Sequence, residues 1–362
     1  MIGEVREMAA SLQFRNILAG GREAASSYGN MGPMEESEIK TIGIPRALMY
    51  YRFGVLWKTF FEELGRNVVL SPETDADIAD EGARISVDEC CLASKVYMGH
   101  VSRLVGACDA VFVPSIVGRN RRESYCTKFQ ALPDVVANTF AAQDVQVLSC
   151  LIDGQKPHGD EKDAFVDLGV RLGASPKESR HAYKVARKAY EKARAQREAE
   201  QRHGLERIRK AHGGEEAAAS AQQPVIMLVA HPYVAHDPYI GGEVVRLLEA
   251  NGAFVAFADA FDAQRALEAS YDFSPTMPWS VNRELTGVIA LESGSVDGVV
   301  LVSAFPCGPD SMTNDIVARR VQGKPTLTLT IDAQSGTAGL ETRIESFVDI
   351  LQYQRKGGYV HG

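Results

Sequence analysis

Short apolar runs alternate with helical patterns along most of this chain, and this alternation constrains its fold more than any other feature. The runs AVFVP at 110–114 and VIMLVA at 225–230 are continuously apolar. Continuously apolar strands are typical of a sheet covered on both faces, and strands spaced by helices are typical of parallel pairing through right-handed crossovers. The pattern therefore predicts an α/β protein built from Rossmann-like (flavodoxin-like) parallel sheets.

The alternation is interrupted after about residue 152 and restarts near residue 223, which predicts two Rossmann-like domains with a helical segment between them. The segment contains no Pro from Lys177 through His212, and its alanines recur at helical spacing. The predicted organisation is a flexible leader at 1–38, a first Rossmann-like domain at 39–152, a helical segment and linker at 153–222, and a second Rossmann-like domain at 223–362.

The helical segment is strongly basic in an otherwise acidic chain. Between Lys177 and Lys210 it has 12 Lys and Arg against 5 Glu, whereas the whole chain has a formal net charge of -8. A solvated helix face and a docking surface for an acidic partner or a phosphate group are both consistent with this pattern. The acidic balance of the whole chain argues against nucleic acid or anionic lipid as a general partner.

Several common protein classes are disfavoured. The longest clean apolar stretch is VIMLVA, and the N-terminus lacks a signal-peptide pattern, so we expect a cytoplasmic protein without membrane contacts. The sequence has no G-x-G-x-x-G, G-x-x-x-x-G-K-[ST], G-x-S-x-G or C-x-x-C motif. These absences argue against a dehydrogenase, a P-loop NTPase, a serine hydrolase and a zinc ribbon. The 6 cysteines are too sparse for a disulfide scaffold.

Three of the cysteines occupy unusual positions. Cys91 lies at a predicted helix start, Cys126 follows the strand AVFVP, and Cys307 follows the predicted strand GVVLV directly. Loops of this kind form the rim where parallel-sheet proteins bind ligands, and a helix start stabilises a thiolate. Cys108 and Cys150 adjoin strands instead, and we interpret both as core thiols.

Six sequence motifs closely resemble those of the acyl-CoA dehydratase activase-related family and occur in the same order as in that family. Its relatives are the 2-hydroxyacyl-CoA dehydratase (D-component-like) subunits. The resemblance covers about residues 41 to 352 and rests on IGIPRALMYYRFG, VDECCLASKVYMGHV, YCTKFQALPD, AHPYVAHDPYI, PCGPDS and TLTIDAQSGTAGLETRIESFVDIL. It implies a [4Fe-4S] cluster bound by Cys91, Cys126 and Cys307 between the two domains. Three thiolates leave one iron open to a small ligand or a substrate oxygen.

The resemblance also implies partners. Members of the superfamily receive a low-potential electron from an ATP-hydrolysing activator protein that carries its own iron-sulfur cluster, and this chain has no ATPase motif of its own. The substrate would be a small molecule, with acyl-CoA as one class, and the chain would form a homodimer or half of a heterodimer. The sequence departs from the family's motif at two positions. The cysteine is doubled at Cys90-Cys91, so Cys90 is an alternative ligand to Cys91, and Ala93 stands where the family often has Pro.

Polar residues beside these cysteines are candidates for acid/base chemistry, each with a structural alternative. Glu89 and Lys95 flank Cys91 and would transfer a proton or form a local ion pair. His231 follows the strand VIMLVA on the predicted rim, whereas His100 is typical of a packing histidine. Ser311 begins the helix after Cys307, where it would cap the helix or contact a ligand.

The sequence thus predicts a cluster-binding redox protein that passes electrons from a separate activator to a small molecule, as an iron-sulfur dehydratase or reductase component. Two alternatives remain open. One is a non-enzymatic electron relay or cluster carrier, and the other is a cluster-free protein whose two domains close on a small ligand.

Overall fold

The computed structural model describes residues 34–211, 223–333 and 337–355. The strands are β1 (Thr41–Ile44), β2 (Asn67–Leu70), β3 (Ala110–Phe112), β4 (Ser115–Asn120), β5 (Glu123–Ser124), β6 (Val147–Leu148), β7 (Leu151–Asp153), β8 (Val225–Val229), β9 (Phe254–Phe257), β10 (Gly298–Ala304) and β11 (Thr326–Ile331). The helices are α1 (Tyr50–Glu63), α2 (Ala76–Ile85), α3 (Leu92–Leu104), α4 (Thr127–Thr139), α5 (Glu161–Arg171), α6 (Pro176–Ala211), α7 (Pro232–Ala235), α8 (Gly242–Ala250), α9 (Ala263–Phe273), α10 (Ser280–Glu292), α11 (Gly308–Arg320) and α12 (Thr337–Arg355). Most of the predicted leader and the linker at 212–222 lie outside the described residues.

Two parallel sheets confirm the predicted α/β class. The first has the strand order β2-β1-β3-β6 and the second has the order β9-β8-β10-β11. In each sheet, the strand that comes second in the sequence lies at one edge, and the first, third and fourth strands follow it across the sheet. Every residue of β8 and of β10 is buried. Burial on both faces explains why the sequences of these strands are continuously apolar.

A third, smaller sheet was not indicated by the sequence pattern. It has the order β5-β4-β7, in which β4 pairs antiparallel with β5 and parallel with β7. Ser124 of β5 also forms an isolated bridge with Trp279, and its backbone N–H donates to the carbonyl oxygen of Pro278 at 2.8 Å. This small sheet therefore joins the first half of the chain to the segment that precedes α10.

The basic segment forms one continuous helix, α6, of 36 residues. Its N-terminal half packs against α1 and α5, with the ring centroids of Tyr190 and Phe53 5.6 Å apart. Further along, Gln201 accepts from the backbone N–H of Phe257 at 2.7 Å and donates to its carbonyl oxygen at 3.1 Å. The helix thus contacts both halves of the chain, while the domain boundaries at 152 and 223 stay predictions.

Aromatic side chains form the centre of the first core. Phe112 of β3 lies edge-on to Phe61 of α1, with ring centroids 4.9 Å apart, and edge-on to Trp57 at 5.4 Å. Phe165 of α5 meets Phe60 in the same geometry at 4.9 Å. Such edge-to-face pairs add to the stabilisation from burial. No helix within the described residues is long and apolar enough to cross a membrane.

Candidate functional site

The three cysteines singled out in the sequence lie around one cavity. Cys91, Cys126 and Cys307 each occupy the residue immediately before a helix, respectively α3, α4 and α11. All three line a cavity of about 40 Å³, which we call the cysteine cavity. Three helix N-termini therefore meet here, and their free N–H groups and dipoles favour negative charge at the sulfurs.

Backbone contacts between the halves of the chain bring these loops together. The N–H of Leu92, the first residue of α3, donates to the carbonyl oxygen of Phe305 at 2.8 Å. This bond joins the loop of Cys91 to the loop of Cys307, which lies at the carboxyl end of β10. Parallel-sheet proteins commonly bind ligands at this end of their strands.

Burial and nearby negative charge outweigh the helix N-termini and disfavour isolated thiolates at Cys126 and Cys307. Burial raises the pKa of the Cys307 thiol, and the nearby Asp310 carboxylate and Cys91 raise it further. Burial also raises the pKa of Cys126, to which Cys91 contributes. Thiolates placed together in a half-buried site require positive charge nearby. This donor set fits a cationic metal centre, because such a centre supplies that charge and binds sulfur directly.

A hydrogen-bonded polar wall faces the sulfurs. The His231 Nε2 lies 3.1 Å from the Asn282 Oδ1, and the His231 Nδ1 lies 3.0 Å from the Tyr233 hydroxyl. His231, Tyr233 and Asn282 all line the cysteine cavity. Behind them, the Asn282 amide donates to Asp310 Oδ1 at 2.9 Å. Burial by itself lowers the pKa of His231, but the Asp310 carboxylate outweighs burial and raises that pKa.

The other candidates lie in different places. Glu89 is exposed, and neither Glu89 nor Cys90 lines the cysteine cavity. Lys95 lines a separate pocket of about 190 Å³. Ser311 is exposed and donates from its hydroxyl to the Cys307 carbonyl oxygen at 2.9 Å. The structure therefore brings His231 to the three cysteines and leaves these other side chains outside the cavity, and their catalytic roles stay predictions.

Sequence reasoning missed a buried network that links the two halves of the chain. His100 hydrogen-bonds to Ser71 at 2.8 Å and to Thr74 at 2.9 Å, as expected for a packing histidine. Thr74 and Tyr51 both donate to Asp237 Oδ2, at 2.5 Å and 3.1 Å. Asp237 belongs to the motif AHPYVAHDPYI, which was singled out only as a family resemblance. This motif thus supplies both a cavity residue and a contact to the first half of the chain.

A larger cleft adjoins the cysteine cavity. It measures about 300 Å³, and Tyr125 lines both spaces, so this ring forms part of the boundary between them. We call it the basic cleft, because five cationic side chains outnumber two carboxylates in its lining. The cations are Arg52, Arg119, Lys162, Arg187 and Arg194, the carboxylates are Asp160 and Glu161, and the aromatic residues Phe53, Trp57, Tyr183 and Tyr190 lie beside them. The arginines form ion pairs, whereas Lys162 is exposed with no hydrogen bond or ion pair among the described residues.

Comparison with known proteins identifies the family. The family described as "CoA enzyme activase uncharacterised domain" matches residues 41–261. The chain belongs to this family. The matched range of this CoA enzyme activase-related protein includes β1 to β9 and contains Cys91, Cys126 and His231, whereas Cys307 lies beyond it. The resemblance found in the sequence motifs is therefore confirmed over that range.

Other comparisons are remote. No curated protein sequence matches the chain. Among solved structures, a putative phosphosugar isomerase from Bacillus subtilis is 10% identical, with 90% of each chain covered and a TM-score of 0.23. A Mn-bound mutant of a periplasmic metal binding protein from Candidatus Liberibacter asiaticus is 10% identical, with 88% of this chain and 100% of that chain covered and a TM-score of 0.25. Similarity this low carries no argument about function.

Proposed function

We propose that this protein binds a [4Fe-4S] cluster through Cys91, Cys126 and Cys307 and uses it for one-electron chemistry on a small molecule. The observation that carries the proposal is the convergence of three thiols, each at the start of a different helix, on one cavity. Cysteine thiolates are the usual ligands of such clusters. Cys108 and Cys150 do not line this cavity, and burial raises the pKa of both thiols.

When bound, the cluster would supply a low-potential electron carrier and one iron without a protein thiolate, which can polarise a substrate oxygen. The chain's own residues would shape the surroundings of that iron. His231, whose pKa the nearby Asp310 carboxylate raises, would take up and release a second proton at Nδ1 on the cavity wall. Tyr233 would keep its hydroxyl protonated, since burial and then the Asp310 carboxylate raise its pKa.

The basic cleft supports an anionic substrate. Its arginines each retain N–H groups beyond those used in ion pairs, and Lys162 adds an exposed cation. An acyl-CoA carries several phosphate charges and an aromatic adenine ring, and both suit a cleft that combines guanidinium groups with aromatic rings. Because Tyr125 lines both spaces, a ligand in this cleft would reach the cysteine cavity at that ring.

The electron would come from a separate ATP-hydrolysing activator protein that carries its own iron-sulfur cluster. This part of the proposal follows the resemblance of the sequence motifs and the lack of a P-loop motif in this chain, while the family description itself names only a CoA enzyme activase domain. An assay of electron transfer from such an activator to this protein tests this part of the proposal directly.

The proposal is tested by anaerobic purification, iron and sulfide analysis, and electron paramagnetic resonance of the reduced protein. We expect about four irons and four sulfides per chain and a reducible paramagnetic signal. Changing Cys91, Cys126 or Cys307 to Ser should lower the iron content, while Cys108→Ser and Cys150→Ser serve as controls. Equal iron loss from all five variants, or no iron after anaerobic reconstitution, would contradict the proposal.

One observation favours a second candidate, a non-enzymatic electron relay or cluster carrier. The cysteine cavity is small, at about 40 Å³, and Glu89, Lys95 and Ser311 lie outside it. A relay needs neither a substrate space nor acid/base groups. Retention of the cluster signal with no spectral change on adding acyl-CoA would favour the relay, whereas a change would favour the enzyme.

A further inference from the structure

We propose that Cys307, His231 and Asp310 form a binding site for a single divalent transition-metal ion of the zinc type. A ligand atom of each residue lies within 4.8 Å of those of the other two, and within the described parts of the chain no other group of three such side chains converges in this way. Sulfur, imidazole nitrogen and carboxylate oxygen are the three ligand types that Zn²⁺ prefers. The inference does not rest on the proposed function, because it concerns the chain without a cluster, in which Cys307 is available to the ion.

The Asp310 carboxylate is oriented for an ion. Its Oδ1 accepts a hydrogen bond from the Asn282 amide at 2.9 Å, which fixes the plane of the carboxylate. Its Oδ2 is buried and accepts no hydrogen bond, although His231 Nδ1 lies 3.3 Å away at ion-pair distance. A buried carboxylate oxygen without a hydrogen bond is costly, and metal coordination is one way to satisfy it.

Hydrogen bonds also determine which imidazole nitrogen faces the site. Thr313 donates its hydroxyl hydrogen to the Pro309 carbonyl oxygen at 2.8 Å, so its oxygen must accept from the Asn282 amide nitrogen at 3.0 Å. The Asn282 Oδ1 consequently faces His231 Nε2, which must carry the hydrogen in this pair. Nδ1 is therefore the nitrogen available to an ion, in competition with the Tyr233 hydroxyl.

This arrangement matches the surroundings of established metal sites. A metal-binding histidine usually donates its other N–H to a carbonyl or carboxylate, as His231 does to the Asn282 side-chain carbonyl. Three protein ligands leave one position of a tetrahedral ion open to water or another small ligand. Ion and cluster would share only Cys307, so the two would exclude one another at that sulfur.

The test uses the full chain, purified anaerobically and stripped of metal with a chelator. Zn²⁺ binding is measured by competition with a chromophoric chelator, and Co²⁺ binding by its sulfur-to-metal charge-transfer absorption. We expect one ion per chain. Asp310→Asn and His231→Gln should each weaken Zn²⁺ binding by more than about 100-fold, and Asn282→Ala by roughly 10- to 100-fold.

Matched cysteine variants separate this site from the cluster. Cys126→Ser should leave Zn²⁺ affinity unchanged, because Cys126 is not part of the triad, whereas Cys307→Ser should abolish the Co²⁺ charge-transfer band. Wild-type Zn²⁺ affinity in Asp310→Asn, or equal loss in Cys126→Ser, would overturn the proposal. If Asp310→Asn does not fold, as judged by circular dichroism, retention of the Co²⁺ band in Cys307→Ser would overturn it independently.

Discussion

Glu284 connects the two halves of the chain through two arginines. Arg52 of α1 donates both terminal nitrogens to its carboxylate, at 2.7 Å and 2.9 Å, and Arg119 of β4 donates to the same carboxylate at 2.9 Å. The Arg52 and Glu284 side chains are only 14% and 11% exposed. Burial by itself lowers the pKa of Arg52, but Glu284 outweighs burial and holds that pKa well above its ordinary value.

Replacing Glu284 with Ala should strongly destabilise the protein. The change leaves the Arg52 guanidinium buried without its counter-charge, and breaking a buried pair in this way costs about 3–5 kcal/mol. Glu284→Gln keeps the shape but loses the charge, so we expect a smaller loss of roughly 2–3 kcal/mol. Replacing both partners, with Arg52→Met and Glu284→Leu, should recover most of the loss, because no unpaired buried charge remains at that pair.

The assay is urea unfolding of the full chain followed by circular dichroism. The control is Glu191→Ala, since Glu191 is 61% exposed and pairs with Arg187 on the surface of α6. An exposed pair of this kind contributes less than about 1 kcal/mol. A free energy of unfolding for Glu284→Ala within about 1 kcal/mol of wild type would refute the reasoning, because it would mean that Arg52 is stable without its partner.

Three further predictions concern the core. Burial, with help from Arg46, lowers the pKa of His100 to about 4, so below about pH 6.5 the unfolded chain binds a proton that the folded chain does not. The free energy of unfolding should therefore fall by roughly 3 kcal/mol as the pH drops from about 6.5 to 4. In a pH series of urea unfolding curves, His100→Gln should remove this loss. A Cβ on Gly82 would lie 1.9 Å from the Lys95 carbonyl oxygen, so Gly82→Ala should cost about 1–3 kcal/mol, whereas Gly294→Ala, with open space at its Cβ, should not. Phe112→Ala should cost about 3–5 kcal/mol, and a smaller loss by chemical denaturation would contradict the packing described for β3.

The parallel sheets were predictable from sequence because the signal is local. A strand covered by helices on both faces needs apolar side chains on both faces, and VIMLVA and AVFVP are accordingly apolar throughout. The third sheet escaped prediction because β5 and β7 have only 2 and 3 residues, too few for a period to appear. The lack of Pro and the spacing of the alanines predicted a helical segment here, and the structure decides that it is one continuous helix.

The candidate site was predictable only in part. The three cysteines and His231 occupy helix starts and strand ends that sequence identifies, and the structure brings all four to one cavity. Asn282 escaped notice because it lies within α10, far from any cysteine in sequence, and gives no local signal. Glu89 was favoured for its nearness to Cys91 along the chain, yet it is exposed and lies outside the cavity.

The sequence by itself determined the α/β class, the two parallel sheets and the placement of the three cysteines at a helix start or after strands, because each depends on patterns within a few neighbouring residues. Only the tertiary structure decided that Asn282 orients both His231 and Asp310, that Tyr125 lines both the cysteine cavity and the basic cleft, and that Glu284 joins two arginines. These contacts join residues far apart along the chain. Their geometry depends on how the two halves pack, which no local pattern encodes.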